Sequence, residues 1–105
     1  MNIQPIEVKG KKEAGDSFVL LDVREGWEYQ SAHIPDSVLI PLGELSRRLS
    51  ELEKDDEIIT MCHHGTRSAS AQAFLIQSGF TNVRNMTGGI DAYSMTADPT
   101  IPRYR

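Results

Sequence analysis

Apolar residues are bunched along this chain in short runs, and between the runs they recur every three or four positions. Phe18, Val19, Leu20 and Leu21 lead into Asp22 and Val23, a run of strand formers that ends in charge. A strand buried on both faces reads this way when its C-terminal end carries function or a cap. Val38, Leu39 and Ile40 make a second run, stopped by Pro41. Residues 57–61 make a third strand and 83–86 a last short one. Between the runs, residues 24–31 carry Trp27, Glu28 and Tyr29 at helical spacing, and residues 34–37 read as a turn. Trp27 and Tyr29 are expected in the core or in a pocket wall. Leu42, Leu45, Leu49 and Leu52 recur at three, four and three, which predicts one face of an amphipathic helix, with Glu44, Arg47, Arg48 and Glu51 opposite. Over 68–78, Ala71, Phe74, Leu75 and Ser78 form a stripe that Ala69, Ala73 and Ile76 widen, so this helix is expected to be well buried. Gly79 is its stop. Gly88 and Gly89 break the last strand, a short helix follows, and residues 98–105 form an extended, proline-punctuated tail. An edge strand and a helix are both open readings for residues 3–15, where Gly10 and Lys9, Lys11 and Lys12 weaken each.

Strands that alternate with helices predict an α/β layer structure, a mainly parallel sheet covered on both faces. Ligands in such sheets sit outside the carboxyl ends of the strands. Asp22, Arg24 and Cys62 all lie at or just past such ends, so three polar or reactive groups are expected on one edge.

The chain has 105 residues, 39% of them hydrophobic and 25% charged, enough for one domain with one modest core. Its net charge of −4 argues against nucleic acid or an anionic membrane as partner. No apolar run is long enough to span a bilayer and no basic-then-apolar leader opens the chain. One cysteine permits no internal disulfide, which fits a reduced, cytoplasmic setting.

That cysteine, Cys62, stands where the third strand runs into a helix, followed by His63, His64, Gly65, Thr66, Arg67 and Ser68. A helix N-terminus and a nearby arginine both lower a thiol pKa, so a thiolate forms there without a general base. Gly65 lets the loop turn successive N–H groups inward, and such a cradle binds an anion: a thiolate, a persulfide built on it, or an oxyanion. His63 and His64 are read as one imidazole at the pocket mouth and one facing solvent. A metal site is not expected, because adjacent histidines hardly converge on one ion and no paired ligand spacing is present. Asp22 reads as support for loop N–H groups or for an arginine. Arg24 reads as a second substrate-binding cation, or else as the partner of a nearby carboxylate. His33 reads as a structural hydrogen-bonder between the first strand and the turn, or as a functional group.

The stretch from Cys62 to Ser68 resembles the C-x-x-G-x-R-[ST] loop of rhodanese-like sulfurtransferases. Leu21-Asp22-Val23-Arg24-Glu25 with Trp27-Glu28-Tyr29, Ala32-His33-Ile34-Pro35-Asp36-Ser37, Ile40-Pro41-Leu42, Gly79-Phe80-Thr81-Asn82-Val83 and Gly88-Gly89-Ile90-Asp91-Ala92-Tyr93 are similar to further segments of that family, in its order, over about residues 16–97. Ala32 and Asp36 stand where the family often has glycine, and Tyr93 where it has tryptophan. The tail 98–105 looks like the end of rhodanese domains fused to adenylating enzymes of sulfur-carrier pathways. The resemblance implies a single domain over 1–105, a five-stranded mainly parallel sheet, and a persulfide on Cys62. His63, His64, Gly65, Thr66, Arg67, Ser68 and Arg24 would bind the substrate.

The implied partners are a small anionic sulfur donor such as thiosulfate and an acceptor that is a thiol, cyanide or a protein, with no cofactor. Two alternatives stand beside a free-standing sulfurtransferase. One is a partner-dependent persulfide relay. The other is a phosphatase or arsenate reductase, whose loops resemble seven residues from cysteine to arginine. Here the count is six, which suits a single sulfur atom better than a tetrahedral oxyanion.

Overall fold

The apolar runs assemble into one parallel sheet of five strands. In the computed structural model, which describes residues 1–104, these are β1 (Asn2–Ile3), β2 (Val19–Asp22), β3 (Val38–Leu39), β4 (Ile58–Met61) and β5 (Val83–Met86), in the order β1-β5-β4-β2-β3. Four α-helices flank the sheet: α1 (Pro5–Glu13), α2 (Gly26–Ser31) and α3 (Thr66–Gln77) between strands, and α4 (Gly89–Thr96) after the last. The alternation of strand side chains sorts the core in two. Leu20, Ile59, Met61 and Met86 face Val8 of α1 and Ile90 and Tyr93 of α4. Leu21, Ile58, Val83 and Cys62 face Leu45, Leu52, Ala71 and Leu75 on the other side. The period of two thus decides that Cys62 looks toward α3 rather than α4. No described helix is long and apolar enough to cross a membrane.

Two expectations change. Residues 42–52 are not an α-helix but two 3-10 turns, Leu42–Arg47 and Leu49–Glu51. Three residues per turn put Leu42 over Leu45 and Leu49 over Leu52, and the step of four spans the break at Arg48. All four leucines still reach the core, so the face is as read and the helix type is not. Helix α3 is buried on one side only: Ala71 and Leu75 are enclosed, while Ala69, Ala73 and Ile76 face solvent. Small residues on an outer face tolerate helix as readily as burial, so apolar character alone misleads there.

The ambiguous N-terminus forms both elements. Pro5 opens α1, and the Gln4 N–H donates to Glu7 Oε1 at 3.0 Å, which satisfies one exposed amide. Gly10 is accommodated inside the helix. Asp36, standing where the resembling family often has glycine, takes φ 70°, a left-handed conformation that aspartate tolerates better than most residues. The tail turns at Asp98, whose carbonyl accepts the Ile101 N–H at 3.2 Å, and then crosses the carboxyl edge of the sheet, its Tyr104 ring lying on His63.

Candidate active site

Strand register brings the chemistry together. Asp22 pairs with Met61, and the Val23 N–H donates to the Met61 carbonyl at 3.0 Å, so Cys62 leaves β4 beside the end of β2. Beyond Cys62 the loop turns through Gly65 at φ 106° into α3. Its carbonyls are tied off on the outside. Cys62 O accepts the Ile90 N–H at 2.9 Å and His63 O accepts the Asp91 N–H at 3.1 Å, both from the first turn of α4. Gly65 O accepts Asn85 Nδ2 at 3.1 Å, and Thr60 Oγ1 donates to Ser68 O at 3.0 Å. A Cβ on Gly89, at φ 64°, would collide with the Cys62 and His63 carbonyl oxygens, so that position needs glycine.

With the carbonyls held outward, the amides point in. The Gly65 N–H donates to Cys62 Sγ at 3.1 Å, the Ser68 N–H at 3.4 Å, and the Ser68 hydroxyl at 3.4 Å. Burial pushes the Cys62 thiol up, but the Ser68 hydroxyl and the Ser68, Gly65 and His64 amides outweigh it, and the net shift is downward. The donors thereby favour the thiolate form over that of a free thiol, at a residue only 1% exposed.

Arg67, the second residue of α3, reaches Glu28 of α2 through two parallel bonds, Nη1 to Oε1 at 2.6 Å and Nη2 to Oε2 at 2.8 Å. Glu28 Oε1 also accepts the Glu25 N–H at 3.0 Å, and Oε2 accepts the Tyr104 hydroxyl at 2.7 Å. Its four acceptor directions are thus filled. The Arg67 pair, acting against burial, holds the Glu28 carboxyl down at about 2. The same pair, against burial and with help from the Cys62 thiolate, holds Arg67 above its ordinary value.

Behind this pair lies a second. Arg24 and Asp22 are both 0% exposed and meet at 2.7 Å. Arg24 Nη2 also donates to Ala32 O at 2.8 Å, and Nη1 to the Tyr104 hydroxyl at 2.9 Å. His63 stacks between His64, at 4.0 Å, and the Tyr104 ring, at 4.2 Å. Burial first, then the neighbouring His64, lowers the His63 pKa against the pull of Asp91 and Glu28. These rings, with Asp91 and Arg103, line an open cleft of about 500 Å³ over the loop.

The Rhodanese-like domain family model matches residues 4–96. The chain belongs to that family. It is 34% identical over 94 residues to the thiosulfate sulfurtransferase GlpE of Pseudomonas savastanoi pv. phaseolicola, covering 90% of this chain and 87% of that one. It is 45% identical over 82 residues to YrkF of Bacillus subtilis, whose name proposes a sulfur carrier; the match takes in 78% of this chain but only 44% of YrkF. A rhodanese-related protein from Thermoplasma volcanium superposes with a TM-score of 0.85 at 31% identity, over 98% of both chains. The rhodanese-like fold read from the sequence is therefore the fold of this chain, and sulfurtransferases are among its relatives.

Within this rhodanese-like frame the residues singled out from sequence divide. Cys62, Gly65 and Ser68 meet around the sulfur, and Arg67 stands beside them. Thr66 is exposed at the start of α3. Asp22 meets both of its readings, accepting the Arg24 backbone N–H at 3.0 Å and pairing with the Arg24 guanidinium. Arg24 does not face a donor: it is enclosed and bonded on every side, because the strand end that carries it lies beneath α2 and the tail. His33 is exposed; its Nδ1 pairs with Tyr29 O at 3.1 Å and its ring stacks on Tyr29 at 4.2 Å, so it does not bridge β2 to the turn. Trp27, expected in the core or a pocket wall, is 61% exposed, with its ring edge-on to Tyr104. Adjacent His63 and His64 do converge. With Asp91 they bring three ligand atoms within 4.8 Å, although Arg103 Nε already holds the Asp91 carboxylate at 2.8 Å.

Sequence reasoning missed Glu28, Tyr104 and Asp91. Glu28 sits in a recognised segment, but nothing local shows that its partner is Arg67, 39 positions on.

Proposed function

We propose that this domain is a sulfurtransferase that carries sulfane sulfur as a persulfide on Cys62, with thiosulfate or an organic persulfide as donor. The observation that supports this best is the ring of donors around Cys62 Sγ, with the intervening carbonyls turned away. It stabilises one anionic sulfur.

The Cys62 thiolate attacks the outer sulfur of thiosulfate. A new S–S bond forms, the bond to the sulfonate sulfur breaks, and sulfite departs with the electron pair. The persulfide anion takes the place of the thiolate charge, within reach of the amides from His63 to Ser68. Cyanide or an acceptor thiolate then attacks the terminal sulfur, taking it as thiocyanate or as a new persulfide, and the Cys62 thiolate returns. No proton moves in either step when the acceptor is anionic. Arg67 follows the loop in the first turn of α3, within electrostatic reach of the sulfur, and Glu28 fixes the direction of the guanidinium that is to meet an arriving anion. A reducing, cytoplasmic setting belongs to this reading, since the thiol must stay free.

Thiocyanate formation from thiosulfate and cyanide tests the proposal. The chain should turn over, and Cys62→Ser should lower the rate by at least about a thousandfold, as removal of a nucleophile does. A second reading, a relay that takes sulfur only from a protein partner, is favoured by the identity to YrkF. It predicts negligible turnover with thiosulfate but uptake from a protein-bound persulfide. Hydrolysis of an aryl phosphate by Cys62 would instead support oxyanion chemistry.

A further inference from the structure

The match to the rhodanese-like family ends at residue 96, yet the segment beyond it completes the site. The tail returns over the sheet edge and is fixed by Arg103 Nε on Asp91 Oδ1 at 2.8 Å. It brings the Tyr104 hydroxyl between two arginine–carboxylate pairs. Arg24 Nη1 donates to that hydroxyl oxygen at 2.9 Å, and the hydroxyl donates to Glu28 Oε2 at 2.7 Å. Glu28 in turn takes both Nη groups of Arg67. The hydrogen bonds therefore converge on Glu28, from the buried Arg24–Asp22 pair through Tyr104 on one side and from the Arg67 guanidinium on the other. Arg24 polarises the Tyr104 hydroxyl and so strengthens its donation to the carboxylate that Arg67 holds.

We propose that Tyr104 is a positioning residue for sulfur transfer: it fixes the Glu28 carboxylate so that the Arg67 guanidinium faces the anion arriving at Cys62. This rests on the sulfurtransferase reading above for its role in turnover, though not for its geometry. Without the hydroxyl, Glu28 Oε2 loses one of its two donors; the Glu25 N–H and the Arg67 fork remain, but the carboxylate is no longer held from the tail side and gains freedom about its last bond. Arg67 would follow it, since both of its terminal nitrogens are committed there. The Cys62 amide ring is untouched by that motion, so the effect should fall on binding of a negatively charged reactant rather than on the thiolate itself.

The experiment uses Tyr104→Phe, Glu28→Gln and the double variant in the full chain. Tyr104→Phe keeps the ring stacked on His63 at 4.2 Å and removes only the hydroxyl. Two alkylating agents of similar size and opposite demand on Arg67 give the first readout. The ratio of Cys62 alkylation rates for anionic iodoacetate over neutral iodoacetamide at pH 7 should fall at least about threefold in Tyr104→Phe. The second readout is steady-state kinetics, in which KM for thiosulfate should rise about fivefold with kcat within about twofold. The unfolding midpoint should move by less than about 2 °C. Because Tyr104 acts through Glu28, the double variant should match Glu28→Gln within about 1.5-fold on both readouts.

An unchanged alkylation ratio in Tyr104→Phe would overturn the proposal. So would losses that multiply in the double variant, or a lowered unfolding midpoint with KM intact. If the unmodified chain takes sulfur neither from thiosulfate nor from an organic persulfide, the sulfurtransferase reading loses its support, while the alkylation ratio still decides the role of Tyr104.

Discussion

The two arginine–carboxylate pairs of this domain share one chemistry and differ in almost everything else. Asp22 and Arg24 are two residues apart in sequence, both side chains are 0% exposed, and the backbone carbonyl of Ala32 takes a further bond. Glu28 and Arg67 lie on different helices; the carboxylate side chain is 5% exposed and the guanidinium 37%. A pair with no exposed atom meets no substrate, whatever its charge; its work is to hold a strand end, a helix and the tail together. A half-open pair keeps one face toward solvent and can meet an anion. Exposure, not residue type, separates structural from functional arginine here.

The largest effect should come from splitting the enclosed pair. Asp22→Ala leaves Arg24 buried without its countercharge and should cost about 3–5 kcal/mol in urea denaturation. A loss below about 1 kcal/mol would mean that Arg24 escapes to water, and the contrast between the pairs would collapse.

Acid should act on the other pair. The folded state holds Glu28 at about 2 against an ordinary 4.5, chiefly through Arg67. A depressed carboxyl stabilises the fold fully above its unfolded value and loses that contribution as pH falls toward the folded one. Stability should therefore decline between about pH 4.5 and 2, by about 1 kcal/mol given the solvent screening at the 37%-exposed guanidinium, and Glu28→Gln should flatten that part of the curve.

Arg67→Met sharpens the comparison from the functional side. With a side chain 37% exposed, the pair should contribute only about 1 kcal/mol to stability. Over the same substitution kcat/KM for thiosulfate should fall about tenfold or more, mostly through KM. Equal losses in stability for Arg67→Met and Asp22→Ala would erase the distinction. The smallest effect belongs to Arg48, which bonds Glu44 and Glu51 at the surface. Arg48→Ala should leave both the unfolding midpoint and turnover unchanged within error, because ion pairs in water gain little.

What the sequence disclosed and what it hid follow the same division. The strand runs, the loop from Cys62 to Ser68 and the placement of both at one sheet edge were legible, because each depends on neighbours a few positions away. The buried state of Arg24 was not. Asp22 nearby offered a partner, but the enclosure comes from α2 and from Tyr104, 80 positions on. Tyr104 itself read as part of a loose proline-punctuated tail, and its bond to Glu28 spans 76 positions. Periodicity carries no signal for such a contact. Residues 42–52 show the milder failure: a stripe of leucines fixes which side faces the core, while the choice between 3-10 and α turns rests on a break at Arg48 that spacing does not reveal.

Intact mass spectrometry tests the central claim most directly. The chain and Cys62→Ser are incubated with thiosulfate, desalted, weighed, then treated with cyanide and weighed again. The account predicts a gain of one sulfur, about 32 Da, on the unmodified chain alone, discharged by cyanide. No gain from thiosulfate or from a low-molecular-weight persulfide, or a gain that persists in Cys62→Ser, would contradict it.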